Sequence, residues 1–327
     1  MPPPLRDLVA AELAEPVPTP VTAMAAAIAA RHPTALGVLF YGSCLRERSF
    51  DGLMLDFYLI VESYDQAFDR RWLATANRLL PPNVFPFEHD GLVAKYAVLS
   101  ADDFARLNGP EAETVSVWAR FAQPSRLVWQ ADADAARRIV DAVSLAAPTL
   151  FALALPMLPS PPNDPLVLSE VEAPAPTAPA RSPSFDFAQD ERIEEGDPLT
   201  IWREGFRLTY GAELRAERAN RPGSVVDADP ARYETFGRAV LAITGPSQLT
   251  PAAAARRWAT LRRNGKWLTL ARLAKASATY AGGIDYLAWK ISRHSGQKVE
   301  IKPWQRRWPI AGALTLLPRL IASGAIR

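Results

Sequence analysis

Two short apolar runs near the N-terminus constrain the fold more than any other part of the sequence. They are ALGVLFYGS at residues 35–43 and LMLDFYLIV at residues 53–61, with a polar connection between them. Apolar runs of this length, bounded by turn residues, are typical of buried β-strands. A chain that contains this pair is expected to build a sheet and to cover it with other elements.

Helix and strand patterns flank this pair. Alanine-rich residues 21–31 and amphipathic residues 65–80 predict helices, and the apolar face of the second helix is expected to carry Phe68, Trp72, Ala76 and Leu79 or Leu80. Residues 83–88 and 92–100 predict two strands that form a hairpin, because Asp-Gly lies between them. The order helix, strand, strand, helix, strand, strand predicts an α+β fold, with a mixed sheet and flanking helices in a domain of residues 1–130.

The rest of the chain, residues 131–327, predicts a mostly helical domain. An insert at about 160–196 is rich in Pro, Ala, Ser and acids, and this composition predicts disorder. Residues 143–158 are the most apolar, but Pro148 and Pro156 interrupt them and they are shorter than the ~20 residues of a membrane span, so they predict a buried helix. The C-terminus predicts a basic amphipathic segment.

Composition excludes several classes of function. The net charge of +2 gives no global field for a nucleic-acid partner, although residues 256–327 are rich in Arg and Lys and nearly free of acids. A single cysteine, Cys44, cannot form an internal disulfide, and three histidines with it cannot form an ordinary zinc cluster. The N-terminal segment lacks the pattern of a secretory signal, so a cytoplasmic location is expected.

The first strand ends in Gly42-Ser43, and the second strand contains Asp56 among apolar residues. A glycine–serine turn can donate backbone N–H groups to a triphosphate. A carboxylate in an apolar strand is costly unless it is paired or binds a metal, and Mg²⁺ is commonly held by one or two carboxylates plus substrate phosphates. This spacing resembles the nucleotidyltransferase superfamily, in which a second acid follows two residues after the first; here that position is Tyr58.

Further segments make the resemblance more specific, from the superfamily to one family within it. They are YGS at residues 41–43, MLDF at 54–57, DGLVAKYAVLS at 90–100, WARFAQP at 118–124 and LTYGAELR at 208–215. In this order they resemble the mitochondrial-type phosphatidate cytidylyltransferases, the peripheral CDP-diacylglycerol synthases. That family carries a single Asp in this strand, so the absence of a second acid at position 58 is expected. Cys44 and Ala97 replace glycines of the family pattern, and Cys44 predicts a bulkier phosphate loop.

The resemblance implies transfer of CMP from CTP to phosphatidic acid on Mg²⁺, at the inner face of an anionic membrane. Asp56 and Lys95 are then the catalytic residues, with Asp56 as the metal ligand, and Tyr41, Gly42, Ser43 and Arg120 bind the nucleotide. Tyr210, Glu213 and Arg215 are candidates for the acceptor site or a second acid, and Trp304, Arg306, Arg307 and Trp308 are candidates for membrane contact. Lys95 also fits a lysine extending from a sheet edge, and Arg120 fits a surface ion pair.

Three alternatives stay open at this point. The first is a nucleotidyltransferase with another acceptor, such as a protein, an antibiotic or an RNA. The second is a catalytically silent protein that binds nucleotide or lipid, in which Tyr58 and Cys44 fill the cleft. The third is a structural membrane-associated helper whose working surface is the C-terminus.

Overall fold

The computed structural model describes residues 3–46, 50, 52–159, 197–212, 225–244, 249–279, 301–307 and 315. The insert predicted at 160–196 lies outside the described residues, as do Glu213, Arg215 and Trp308. The N-terminal half contains α1 (Leu5–Leu13), α2 (Thr19–Ala29), β1 (Ala35–Tyr41), β2 (Met54–Val61), α3 (Tyr64–Ala67), α4 (Arg71–Leu79), β3 (Asn83–His89), β4 (Leu92–Ser100), α5 (Ala101–Asn108), α6 (Trp118–Phe121) and β5 (Ser125–Gln130).

In the described residues after β5, the regular structure is helical. The described α-helices are α7 (Ala133–Ser144), α8 (Ala146–Ala154), α9 (Pro198–Tyr210), α10 (Pro230–Ile243), α11 (Pro251–Thr279) and α12 (Pro303–Arg307). Three of these helices begin with an aspartate cap: the side chain of Asp132 accepts a hydrogen bond from the backbone of Ala135, that of Asp197 from Leu199 and Thr200, and that of Asp229 from Arg232. The division into domains at residue 130 stays a prediction.

The five strands form one mixed sheet in the order β3-β4-β2-β1-β5. The β2–β4 pair is parallel and the other pairs are antiparallel, which confirms the predicted α+β class and mixed sheet. The β3–β4 hairpin turns at Asp90 and Gly91, with φ angles of 49° and 76°, as a two-residue turn of the predicted kind requires. Strand β5 was not predicted, and it completes the sheet beside β1.

The helix predicted over residues 65–80 is wrong in extent and in its buried face. The chain leaves helical geometry at Phe68, so two short helices replace one. In α4, Trp72 and Leu79 are 46% and 78% exposed, whereas Ala74 and Asn77 are buried. The side chain of Asn77 donates to the carbonyl oxygen of Val98 at 2.9 Å and accepts from the backbone of Asn83. These buried hydrogen bonds, rather than apolar periodicity, orient the helix.

Each face of the sheet is covered by its own hydrophobic core. The smaller core packs α2, α3 and α4 on one face. The larger core packs α1 and the helices from α5 to α11 on the other face, against Leu39, Tyr58 and Leu99. The C-terminal helices therefore lie directly over the sheet face that presents the even-numbered positions of β2.

The apolar segment of α7 and α8 belongs to this larger core. Among the described residues, one helical run, Ala133–Met157, has the length and composition of a membrane span, and 61% of its apolar window is buried inside the protein. Close packing explains part of this burial, since a Cβ added to Gly205 of α9 would lie 2.3 Å from Leu150 Cδ2 of α8. The buried helix predicted over residues 143–158 is confirmed as a packed core element.

A buried ion pair joins the first helix to the C-terminal helices. Arg232 of α10 donates to Glu12 of α1, with 3.0 Å between Nη2 and Oε1, and the two side chains are only 9% and 11% exposed. Arg232 also donates to the carbonyl oxygen of Ala122 at 3.3 Å. Removal of one partner would leave a buried charge without its counterion.

We expect Glu12→Ala to lower the free energy of unfolding by about 3–5 kcal/mol, because the guanidinium of Arg232 stays buried. Glu15→Ala is the matched control, since Glu15 pairs with Arg126 but is 54% exposed, and it should cost about 1 kcal/mol or less. Urea unfolding of both variants measures the difference. Equal, small losses in the two variants would show that the Glu12–Arg232 pair does not hold α1 in place.

Candidate functional site

The glycine–serine corner after β1 lies against the Asp56 carboxylate. Gly42 has a φ of 93°, a conformation that disfavours any residue with a side chain. A Cβ placed on Gly42 would be 3.5 Å from Oδ2 of Asp56, and the chain then enters a 3₁₀ turn over Ser43–Arg46. Gly42 and Ser43 are both exposed. The structure thus brings together the two elements that the sequence singled out.

Strand register aligns three of the predicted residues in one row across the sheet. Tyr41 is opposite Asp56 in the antiparallel β1–β2 pair, and Asp56 is opposite Lys95 in the parallel β2–β4 pair. Lys95 Nζ lies 2.9 Å from Asp56 Oδ1, and the side chains are 36% and 25% exposed. Because β4 is flanked by β3 and β2, the interpretation of Lys95 as a lysine at a sheet edge is wrong.

A cavity of about 200 Å³ begins at this row and extends between the sheet and α11. Its positively charged lining comes from the sheet, from α6 and from α11. The lining residues are Tyr41, Phe57, Tyr58, Pro82, Val84, Lys95, Ala97, Ser116, Arg120, Arg272 and Lys275. Four cationic side chains around so small a space make it suited to an anion.

Tyr41 and Arg120 form a polar pair in this cavity. Arg120 donates to the Tyr41 hydroxyl and to the carbonyl oxygen of Ser116. Burial raises the pKa of Tyr41 well above its usual value, and the charge of Asp56 raises it further. Tyr41 is therefore a neutral hydroxyl at physiological pH, and its partner Arg120 belongs to the cavity wall.

Sequence reasoning missed two cations of the cavity, both on α11. Arg272 donates from Nε to the carbonyl oxygen of Pro81 at 2.7 Å and from Nη1 to Ser116 Oγ at 3.0 Å. Lys275 donates to the carbonyl oxygens of Pro82, at 2.8 Å, and Leu80. The basic bias of residues 256–327 was the only signal in the sequence. It did not indicate which of these cations reach the sheet.

Tyr58 and Cys44 do not have the same environment. Tyr58 is buried, lines the cavity and packs against Tyr41 and Phe121, with ring centroids 5.3 and 5.2 Å apart, as expected of a core residue. Cys44 is also buried, but its side chain joins the core on the opposite face of the sheet, with Sγ 3.7 Å from the carbonyl oxygen of Met54. The predicted bulkier phosphate loop is wrong, because the cysteine points away from the corner.

Among the described residues, Asp56 is the carboxylate that lies against the corner. In the part of the chain that the structure describes, no group of three or more His, Cys, Asp and Glu side chains is close enough to hold a metal. Asp56 is paired with a cation, Lys95, instead of a second acid. Because Mg²⁺ can be held by one carboxylate plus substrate phosphates, these residues fit an ion that arrives with a polyphosphate, not a permanently bound one.

The remaining predicted residues lie elsewhere or outside the described ranges. Tyr210 ends α9, and Trp304, Arg306 and Arg307 are exposed on α12. These four side chains are not among the described residues that line the cavity. The predictions for Glu213, Arg215 and Trp308 fall outside the described residues.

Neither models of known protein families nor characterised proteins give a match to this chain. Function is therefore inferred from the residues of the corner and the cavity.

Proposed function

We propose that the chain is a nucleotidyltransferase that transfers CMP from CTP to phosphatidic acid, giving CDP-diacylglycerol and pyrophosphate. One observation carries the proposal: the Gly42-Ser43 corner, Asp56 and Lys95 meet beside a cavity with further cationic walls. A nucleotidyltransferase core needs such a corner after one strand and an acid on the next, as in β1 and β2. The five segments that resemble phosphatidate cytidylyltransferases favour CTP and a phosphatidic acid acceptor.

In the proposed reaction, a phosphate oxygen of phosphatidic acid attacks the α-phosphorus of CTP. The bond from the α-phosphorus to the bridging oxygen of pyrophosphate breaks, and pyrophosphate leaves with the electron pair. Such transfers depend on positioning and on neutralisation of charge more than on covalent help from the protein. The exposed backbone of Gly42 and Ser43 would donate N–H groups to the β- and γ-phosphates, while Lys95 and Arg120 would neutralise charge near the reacting phosphorus.

Asp56 has two tasks in this mechanism. Without nucleotide, its carboxylate neutralises Lys95 across the strand pair, at 2.9 Å. With nucleotide, Asp56 would hold Mg²⁺ together with the phosphates, and the ion supplies further neutralisation of their charge. Lys95 is then released toward the phosphates as a mobile point charge.

An exposed face of α11 supports a lipid acceptor. Trp267 is 71% exposed, and Arg262, Arg263 and Lys266 are exposed on the same helix. Tryptophan with adjacent cations is typical of helices that lie on anionic membranes. Together with Trp304, Arg306 and Arg307, this face supports peripheral attachment to the inner, cytoplasmic face of a membrane.

Trp267→Ala is expected to weaken binding to vesicles that contain phosphatidic acid by about tenfold, because one interfacial indole no longer inserts. Trp72→Ala is the matched control, since Trp72 is also exposed but lies on α4, in the core-covering layer on the opposite face of the sheet. Vesicle flotation measures both. Equal binding by the wild type and both variants would remove this face from the membrane contact.

Turnover of the wild-type chain tests the proposed function. The chain is incubated with Mg²⁺, short-chain phosphatidic acid and each of the four ribonucleoside triphosphates in turn, and pyrophosphate and lipid product are measured. We expect CTP to give equimolar pyrophosphate and CDP-diacylglycerol. Release of pyrophosphate with none of the four would reject a phosphatidate nucleotidyltransferase, and a preference for another nucleotide would reject the cytidylyl assignment.

A catalytically silent binding protein is the second candidate, and one observation favours it. The described neighbour of Asp56 is a lysine, where an active metal site of this superfamily commonly has a second acid. Calorimetry with CTP separates the candidates. A silent protein binds CTP without releasing pyrophosphate, and an enzyme does both.

A further inference from the structure

We propose that the cavity under α11 is a binding site for one phosphate group, held by Arg272 and Lys275 together with Arg120. Its chemistry fits either the phosphate monoester of the acceptor or a phosphate of the nucleotide. The proposal rests on the proposed function for the identity of those two ligands. Binding of the phosphate group itself is measured without turnover.

The charge around the cavity is the first reason. Lys95 from β4, Arg120 from α6 and the two α11 cations surround about 200 Å³. Positively charged side chains that converge on one small space favour an anion there. A phosphate dianion in the cavity can interact with several of these side chains at once, which gives a functional reason for the arrangement.

The orientation of the α11 cations is the second reason. Their hydrogen bonds run to the carbonyl oxygens of Pro81 and Pro82 and to the hydroxyl of Ser116. These hydrogen bonds fix the direction of each side chain. The donors are thus preorganised around the cavity, and the ordering cost of anion binding is reduced.

The state of Lys275 is the third reason. Burial, and to a smaller extent the charge of Arg272, lower the pKa of Lys275 to about 7. Arg272 faces it from the same helix, Lys95 and Tyr41 face it from the sheet, and Arg120 faces it from α6. An anion in the cavity raises the pKa again, so phosphate binding takes up a proton above neutral pH.

The size of the cavity limits what enters. Pockets for whole small molecules measure about 300–1,000 Å³, and this cavity is smaller, at about 200 Å³. It accommodates a phosphate group, while the rest of the ligand stays outside. Because the cavity begins at Tyr41 and Lys95, a phosphate in it lies beside the corner proposed for the triphosphate.

Calorimetry tests the site with three probes: sulfate, glycerol 3-phosphate and CTP. Arg272→Gln and Lys275→Met should each weaken binding of sulfate by about 10- to 100-fold, through loss of one charge-assisted hydrogen-bonding group. Arg256→Gln, at an exposed position of the same helix, should bind as the wild type does. A parallel loss for glycerol 3-phosphate alone assigns the cavity to the acceptor, and a loss for CTP assigns it to the nucleotide.

The pH profile separates ligand binding from a structural role of Lys275. Sulfate stays a dianion throughout, so its affinity should fall by up to about 30-fold from pH 6 to pH 8.5, as Lys275 loses its proton before binding. Lys275→Arg, which stays charged, should bind sulfate with a flat profile. Thermal unfolding identifies any variant that is not folded. If Lys275→Met is not folded, the pH profile of Lys275→Arg tests the site instead.

Two results overturn the proposal: no binding of sulfate or glycerol 3-phosphate by the wild type at millimolar concentration, or equal binding by the wild type and the folded cavity variants. These outcomes are independent of turnover. A chain that binds phosphate in the cavity but releases no pyrophosphate contradicts the proposed function alone. If folded Arg272→Gln and Lys275→Met variants release pyrophosphate at the normal rate and bind sulfate like the wild type, the cavity site alone is contradicted.

Discussion

Replacement of Asp56 by asparagine is expected to lower the rate of pyrophosphate release from CTP by about 10³-fold or more. The side chain keeps its shape and still accepts a hydrogen bond from Lys95, which lies 2.9 Å from Oδ1 in the wild type. It loses the charge that binds Mg²⁺. Asp56 is the described carboxylate that lies against the corner, so its charge is the one expected to hold the ion.

The control for this variant is Asp134→Asn. Asp134 is exposed in the first turn of α7, and it pairs with a cation, Arg137, as Asp56 does with Lys95. The rate of this control should equal that of the wild type. CTP affinity, measured by calorimetry in Mg²⁺, should fall in Asp56→Asn along with the rate. Wild-type turnover in Asp56→Asn would remove this residue from the mechanism and reject it as the metal ligand.

Lys95→Gln is expected to lower kcat/KM for CTP by about 10²–10³-fold, the usual effect of removing one preorganised donor to transition-state charge. Most of the loss should be in kcat, since Lys95 is paired with Asp56 before the nucleotide binds and is released to the phosphates afterwards. Lys95→Arg keeps the charge and should recover part of the rate.

Arg137→Gln, an exposed cation of α7, is the matched control for loss of one positive charge, and its kcat/KM should be unchanged. The thermal midpoints of both variants report whether the fold is retained. If Lys95→Gln raised KM without changing kcat, Lys95 would contribute to binding of the ground state and not to the transition state. Unchanged values of both would show that Lys95 serves only as the counterion of Asp56.

Local sequence patterns predicted four of the five strands of the sheet. The apolar runs of β1 and β2 and the Asp-Gly turn of the β3–β4 hairpin are each contained within a few residues, so they were predictable. The meeting of Gly42 with Asp56 follows from the same elements, because antiparallel pairing places Tyr41 opposite Asp56. The ion pair of Asp56 with Lys95 needed one fact more, the parallel pairing of β2 with β4, which the sequence did not reveal.

The features that the sequence did not predict depend on contacts between residues that are far apart in the chain. Strand β5 is short and its residues are mostly half-buried, so it lacks both a continuous apolar run and a clear alternation. The buried face of α4 depends on hydrogen bonds from Asn77 to β3 and β4, and not on its own periodicity. Arg272 reaches residues far away in the chain, Pro81 and Ser116, and no local signal marks it among the many cations of its segment.

The central claim is that the Gly42-Ser43 corner, Asp56 and the neighbouring cations hold the triphosphate of CTP. A crystal structure with a non-hydrolysable CTP analogue and Mg²⁺ tests it most directly. We predict that the β- and γ-phosphates lie on the backbone of Gly42 and Ser43, with the ion on Asp56 and Lys95 turned toward the phosphates. An analogue bound elsewhere on the protein, with the Asp56–Lys95 pair intact, would contradict the claim.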